Sequence, residues 1–231
     1  MPRILHIETS GKTCSAAISK GQTLSAYDKI SKDKSHASSL SVMIQALLDD
    51  DKLTAQDLDA VAVSAGPGSY TGLRIGVSVA KAICYAAELP LIAVPTLKVM
   101  LNKVLAIHNK AADFDLFVPM MDARRMEVYQ AVYTLDGKTM EQVSPLILDK
   151  FAYQDFLKNH KLLFFGDGAE KAKDVIIHPN ASFFSDALPE AKYMISEALN
   201  RYHHNDFEDI AYYEPFYLKA FQATKPKNPL F

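Results

Sequence analysis

The stretch Gly66-Pro67-Gly68-Ser69-Tyr70-Thr71-Gly72-Leu73-Arg74-Ile75-Gly76 decides how the chain is read. It follows the apolar run Ala60 to Ala65 and opens a long apolar helix. Four glycines within eleven residues ask for tight or left-handed backbone and leave room for a close neighbour. That neighbour is a phosphate, a strand or another helix, and the choice among them decides the function. A glycine turn before a helix offers N–H groups and a helix dipole to an anion. This one lacks the Gly-Lys-Ser/Thr ending of a Walker loop and the spacing of a dinucleotide fingerprint.

Outward from this turn the pattern predicts an α/β unit. Ile4 to Ser10, Thr13 to Ser19 and Thr23 to Ile30 read as strands, the last two joined by Lys20-Gly21-Gln22. Ser35 to Asp50 carries Leu40, Met43, Ile44, Leu47 and Leu48 on helical spacing. Ala60 to Ala65 is a short strand covered on both faces, Gly72 to Glu88 a helix, and Leu91 to Val94 a strand. Thr96 to His108 is helical and leads out of a first lobe, residues 1–103. The second lobe, 104–231, holds strands Leu116 to Met121, Glu127 to Thr134, a run after Asp136-Gly137, and Lys161 to Phe165. Its expected helices are Phe151 to Asn159, Ala169 to Val175 and Pro189 to His203, with a mobile tail from Lys225.

The helix after the glycine turn bears a polar stripe, Arg74, Ser78, Lys81, Tyr85 and Glu88, and an apolar arc over the rest. An arc wider than one core face predicts contacts on two sides. A sheet and the preceding helix of the same chain would satisfy it, and so would a sheet and a partner.

Composition narrows the classes. The chain has 231 residues, 49% of them hydrophobic and 23% charged, which is an ordinary globular balance. A net charge of −2 gives no field that draws in nucleic acid unaided. Cys14 and Cys84 lie far apart in apolar segments and read as buried free thiols of a reducing compartment. The start, Met1-Pro2-Arg3, runs straight into a strand, and no apolar run reaches membrane-spanning length. A cytoplasmic location with no membrane contact is expected.

Other chemistries find little support. The seven histidines are scattered without metal-ligand spacing. Ser69 sits one place too early for a nucleophile elbow. Asp122-Ala123-Arg124-Arg125-Met126-Glu127 packs charge at a strand end, as a ligand loop or a solvated turn. Glu8-Thr9-Ser10-Gly11 ends the first strand where actin-like ATPases place a phosphate loop, which makes these four residues candidates to lie near a nucleotide.

In order along the chain, Ile4 to Ser10, Cys14 to Ile18, His36, Gly66 to Gly76, Asp122 to Tyr129, Gly166 to Ala169 and Glu214 to Leu218 resemble the TsaB (YeaZ) family. The resemblance runs nearly the full length. It implies a two-lobed actin/Hsp70/sugar-kinase-like (ribonuclease H-like) α/β fold. It also implies a non-catalytic paralogue of TsaD, the subunit that installs threonylcarbamoyl on the adenosine beside the anticodon of tRNAs reading ANN codons. Implied partners are TsaD and the ATPase TsaE, with a homodimer when TsaD is absent and tRNA engaged only indirectly. No tightly bound cofactor is implied, only weak ATP or ADP near the TsaD junction. The resemblance places docking on the two first-lobe helices. We expect the surface to use His36, Leu40, Met43 and Leu47 of one, with Gly72, Arg74, Gly76, Val77, Ser78 and Lys81 of the other. The two histidines that hold the metal in TsaD fall in register with Thr96 and Met100, neither a replacement for paired imidazoles. Those missing ligands argue against a metal-dependent glycoprotease label. The alternative reading, a stand-alone actin-like ATPase or glycoprotease-like metalloenzyme, predicts ATP or metal bound by the isolated protein. Tyr70, where phenylalanine is commoner, and Lys219, where arginine is frequent, are small departures from the family.

Overall fold

Three antiparallel strands, β1 (Arg3–Glu8), β2 (Thr13–Lys20) and β3 (Thr23–Ser31), open the chain. β4 (Ala60–Gly66) and β5 (Leu91–Pro95) add in parallel beyond β1, giving the order β3-β2-β1-β4-β5. The computed structural model describes residues 1–31 and 36–218, the side chains of Ser31, His36 and Ala37 excepted. Ser35, Lys219, the tail from Lys225 and the His36 side chain therefore lie outside the described residues.

Alternation along the strands sends side chains to two cores. Leu5, Ile7, Ala16, Ile18, Val61 and Val63 face α1 (His36–Asp50) and α2 (Tyr70–Ala87). Ile4, Ala17, Ala60, Ala62, Ile92 and Val94 face the opposite way. There they meet Val99 of α3 (Thr96–Ile107), a 3-10 turn at Ala191–Met194, and the helix Ile195–His203. A strand buried on both faces has no polar side to show, which is why β4 reads as almost wholly apolar.

The second sheet has the order β10-β9-β6-β7-β8, built from β6 (Leu116–Asp122), β7 (Glu127–Thr134), β8 (Thr139–Ile147), β9 (Leu162–Phe165) and β10 (Ala181–Phe184). Two short helices, α4 (Gln154–Leu157) and α5 (Ala169–Lys173), cover one face. α3 covers the other with Leu97, Met100, Leu101 and Val104. α3 is thus shared by both lobes. Two expected helices change markedly in extent, and one strand is new. The helix expected from Phe151 shortens to α4. The one expected from Pro189 starts as the 3-10 turn and becomes α6 only at Ile195. β10 is additional.

Polar ties cross between the lobes. Glu190, just before the 3-10 turn, accepts from Lys103 Nζ at 2.8 Å, from Lys29 Nζ at 3.3 Å and from the Tyr27 hydroxyl. Lys12 pairs with Asp167 at 3.2 Å. After α6 the chain returns to the first lobe: Glu208 N–H donates to Leu91 O at 2.9 Å on the open edge of β5. Ile210 and Tyr213 pack on the α1–α2 core. Phe216 N–H then donates to Ala65 O at 2.7 Å, and the Tyr217 ring lies 4.7 Å from that of Tyr70. Among the described residues no helix is long and apolar enough to cross a membrane.

Candidate functional site

The neighbour for which the glycine turn makes room is the end of β1. A Cβ on Gly68 would stand 2.5 Å from Ser10 O, while on Gly72 and Gly76 it would overlap Thr9 O and Thr9 Oγ1. Ser69 N–H donates to Ser10 O at 2.7 Å and Thr9 Oγ1 to Gly72 O at 2.7 Å, so helix and strand end are stitched together. Ser69 caps α2 by accepting from Gly72 N–H at 3.2 Å, and Glu88, left-handed at φ 55°, ends it. Gly66 itself needs its φ of 104°, and any side chain there would strike Phe216 O.

This geometry corrects the expected docking face. Gly72 and Gly76 admit the chain's own Thr9, so they are not the gap for a partner helix. Leu40, Met43, Leu47 and Val77 are at most 5% exposed and belong to the core between sheet, α1 and α2. The apolar arc of α2 is spent inside the chain: Leu73, Val77, Ala80 and Cys84 are buried, and Ile75, Val79 and Ile83 pack against the same core. Of the expected surface, Arg74 and Ser78 stay exposed and Lys81 half-buried, its Nζ donating to Ala211 O at 3.4 Å. The His36 side chain lies outside the described residues.

The outward face of the two helices carries different residues. On α2 it is Arg74, Ser78, Ala82 and Tyr85, on α1 Val42 and Ala46. Tyr85 is 82% exposed and Val42 68%, large side chains left open among small and polar ones. The Arg74 guanidinium lies 5.1 Å from the centre of the Tyr70 ring, which joins this face to the returning C-terminal segment. The sequence signal for Val42 and Ala46 was available, since they stand four apart and out of phase with Leu40, Met43, Leu47 and Leu48.

At the strand end, Glu8, Thr9 and Ser10 are buried and only Gly11 is partly open, beside Pro189. The glycine turn lies against Thr9 and Ser10, so of the four candidates only Gly11 is open to a ligand in this arrangement. Ser10 N–H donates to Glu8 Oε1 at 2.6 Å, whereas Glu8 Oε2 and the Ser10 and Ser64 hydroxyls have no hydrogen-bond partner. Burial pushes the Glu8 carboxyl up to about 7, against the opposing contacts of Ser10 and Ser64. Burial likewise pushes His6 down to about 3 and the Cys14 thiol up to about 11. Both cysteines are buried and free, as their apolar settings foretold.

The charged stretch at Asp122 is a locked turn. Arg124 and Arg125 are both left-handed, at φ 70° and 49°. Lys171 Nζ holds the loop through Asp122 Oδ1 and Arg125 O, each at 2.8 Å, and Glu127 O at 2.5 Å. Asp122 N–H donates to Asp167 Oδ1 at 3.0 Å. Thr96 and Met100 are fully buried, Met100 within the apolar cluster of α3, β6 and β7. Among the described residues no group of three or more His, Cys, Asp or Glu side chains is placed to hold a metal.

Comparison with known proteins agrees with this architecture. The family model described as TsaD, tRNA N6-adenosine threonylcarbamoyltransferase, matches residues 30–224. The tRNA threonylcarbamoyladenosine biosynthesis protein TsaB of Bacillus subtilis is 33% identical over 176 residues, 75% of this chain and 74% of that protein. TsaB of Haemophilus influenzae is 26% identical over 235 residues, 98% of this chain and 97% of its own. Among solved structures, YeaZ from Pseudomonas aeruginosa superposes with a TM-score of 0.82 at 23% identity, covering 94% of this chain and all of that one. With the same two-lobed α/β fold and relatives of this name matching most of its length, the chain belongs to the TsaB family of tRNA threonylcarbamoyladenosine biosynthesis proteins.

Proposed function

We propose that this protein is a non-catalytic subunit that docks onto TsaD through the outward face of α1 and α2 and thereby supports threonylcarbamoyl transfer to tRNA. The observation that carries the reading is the pair Tyr85 and Val42, large apolar side chains left open on helices whose inward faces are fully used. Exposed apolar surface rimmed by polar groups marks interaction sites. Arg74 and Ser78 supply that rim. The apolar burial of Met100, and of Thr96 beside it, supports a chain without the TsaD-type metal. In this reading the protein works in the cytoplasm, TsaE joins the assembly, and tRNA is met through TsaD. ATP or ADP is held weakly, where two proteins meet, and without TsaD the face pairs with a second copy.

The test is a pair of charge substitutions on the open face, Ser78→Glu and Ala82→Glu, in a chain shown folded by circular dichroism. Two carboxylates one turn apart exceed what the nearby Arg74 can neutralise, and an unmatched charge carried into a buried interface costs several kcal/mol. Co-elution with TsaD on size exclusion should be lost, while the thermal midpoint stays near that of the unmodified protein. Undiminished co-elution would put the contact elsewhere. Sustained threonylcarbamoyl transfer by the purified chain alone would overturn the non-catalytic assignment.

A further inference from the structure

Among the described residues Glu8 is a fully buried carboxylate to which the proposed docking face gives no role. It sits at the carboxyl end of β1, beside Ser64 on β4 and opposite Ser15 on β2. Its side chain is fully buried, with Oε1 taken by Ser10 N–H and Oε2 unpaired. The hydroxyls of Ser10 and Ser64 lie close enough to ease its charge in part, but neither reaches hydrogen-bond geometry, so burial outweighs them. A neutral carboxyl suits this setting, because its O–H can be donated to a hydroxyl oxygen that has no other partner.

Among the described residues no cation is bonded to the ionised form. Among the described residues, ionisable groups on the elements packed round Glu8 are Arg3 and His6 on the same strand, Cys14 and the exposed Lys20 on β2, and Glu190 with Lys192 and Tyr193 at the 3-10 turn. α6 adds Glu197, Arg201, Tyr202 and His203, where Arg201 is paired with Glu197 and Asp206. α3 contributes Lys98 and Lys103. Lys103 and Lys29 are bound to Glu190, Lys98 to Gly137 O, and Lys12 to Asp167. β4 has no ionisable side chain. The start of α2 has Tyr70 and Arg74, the latter turned outward over the Tyr70 ring. His6, pushed low by burial, stays neutral across the physiological range.

The residues that follow Glu8 hold the start of α2. Ser10 O accepts from Ser69 N–H, and Thr9 Oγ1 donates to Gly72 O. We propose that Glu8 is a proton-held latch on α2: while its carboxyl is neutral the segment 8–10 stays closed and grips Ser69 and Gly72, and on losing the proton it favours an open form in which the carboxylate meets water and that grip is released. The step is a simple acid dissociation, with the proton passing to solvent.

The sign follows from linkage. Burial raises the closed-state carboxyl to about 7, above the ordinary 4.5 that it recovers once solvated. The closed form is therefore favoured fully below about 4.5 and loses ground as pH rises through about 7. Beyond that the opening equilibrium levels off. Any effect on partner docking through α2 rests on the proposed function above, so the test uses the isolated chain.

The experiment follows the Ser69 amide by hydrogen exchange between pH 5 and 8.5, corrected for intrinsic base catalysis, in the unmodified chain and in Glu8→Gln. Protection of the unmodified chain should fall by up to about tenfold per pH unit until neutrality and then level off. Glu8→Gln, which fixes the neutral state, should show no such slope. A carbon-13 titration of the Glu8 carboxyl in the unmodified chain gives an independent reading should the variant fold poorly. A midpoint near 7 supports the latch. An ordinary midpoint near 4.5, or a Ser69 slope that persists in Glu8→Gln, overturns it.

Discussion

Gly72 touches Thr9 backbone with nothing between, and its consequence is a sharp one for a single methyl group. Gly72→Ala places a Cβ against the carbonyl oxygen of Thr9, just past the end of β1, in a segment that the Thr9 hydroxyl ties to Gly72 O. Overpacking of this sort costs about 1–3 kcal/mol. The expected outcome is a lowered thermal midpoint with unchanged secondary structure, and a midpoint equal to that of the parent would contradict the contact. At this scale the sequence was only partly legible. Composition around Gly66 to Gly76 announced a close approach, and it occurs. Which backbone approaches is a tertiary fact: glycines four apart on a helix fit a neighbouring helix or a strand end equally well. Glu8 was similarly half-read, placed correctly at a strand end but with no means of telling that the following turn would seal it.

At the level of elements, α2 shows why an apolar arc is ambiguous. Leu73, Val77, Ala80 and Cys84 meet the core, and Ile75, Val79 and Ile83 close its flank beside α1. Every apolar position on the arc thus has an intramolecular use. Val77 and Ser78 are neighbours in sequence with opposite fates. Val77→Glu should unfold the lobe, because a carboxylate would enter a side-chain site 5% exposed. Circular dichroism should show loss of structure for Val77→Glu alone, with Ser78→Glu unaffected. A folded Val77→Glu protein would reverse the face assignment. The polar stripe, by contrast, was legible: Arg74, Ser78, Tyr85 and Glu88 are exposed and Lys81 half-buried, as their spacing required. The strands with clear alternation or bounded apolar runs were also legible. β10 was not, since four residues after Pro179-Asn180 give too short a pattern to separate strand from loop.

For the molecule as a whole, Glu190 ties the first sheet to α3, the helix that both lobes share. Burial opposes its charge, but the hydrogen bonds from Lys103 and Tyr27 outweigh that and hold the carboxyl at about 2. A carboxyl lowered from 4.5 contributes stability that is present above its unfolded value and is lost as pH falls from about 4.5 to about 2. Glu190→Ala leaves Lys103 buried without its partner, at a cost of about 3–5 kcal/mol. Pairing Glu190→Leu with Lys103→Met should recover most of that loss in urea unfolding, because both charges leave together. No recovery in the double variant would mean that the pair does more than satisfy itself. The return of residues 208–217 to β5 and α2 has a further consequence for biosynthesis. The edge of the first sheet finds its cover only after about 117 more residues, Leu91 to Glu208, have emerged from the ribosome. At elongation rates of roughly 5–20 residues per second that is on the order of 6–23 s. For that interval the nascent first lobe exposes an unpaired strand, and the earliest part of the protein is finished by one of the last.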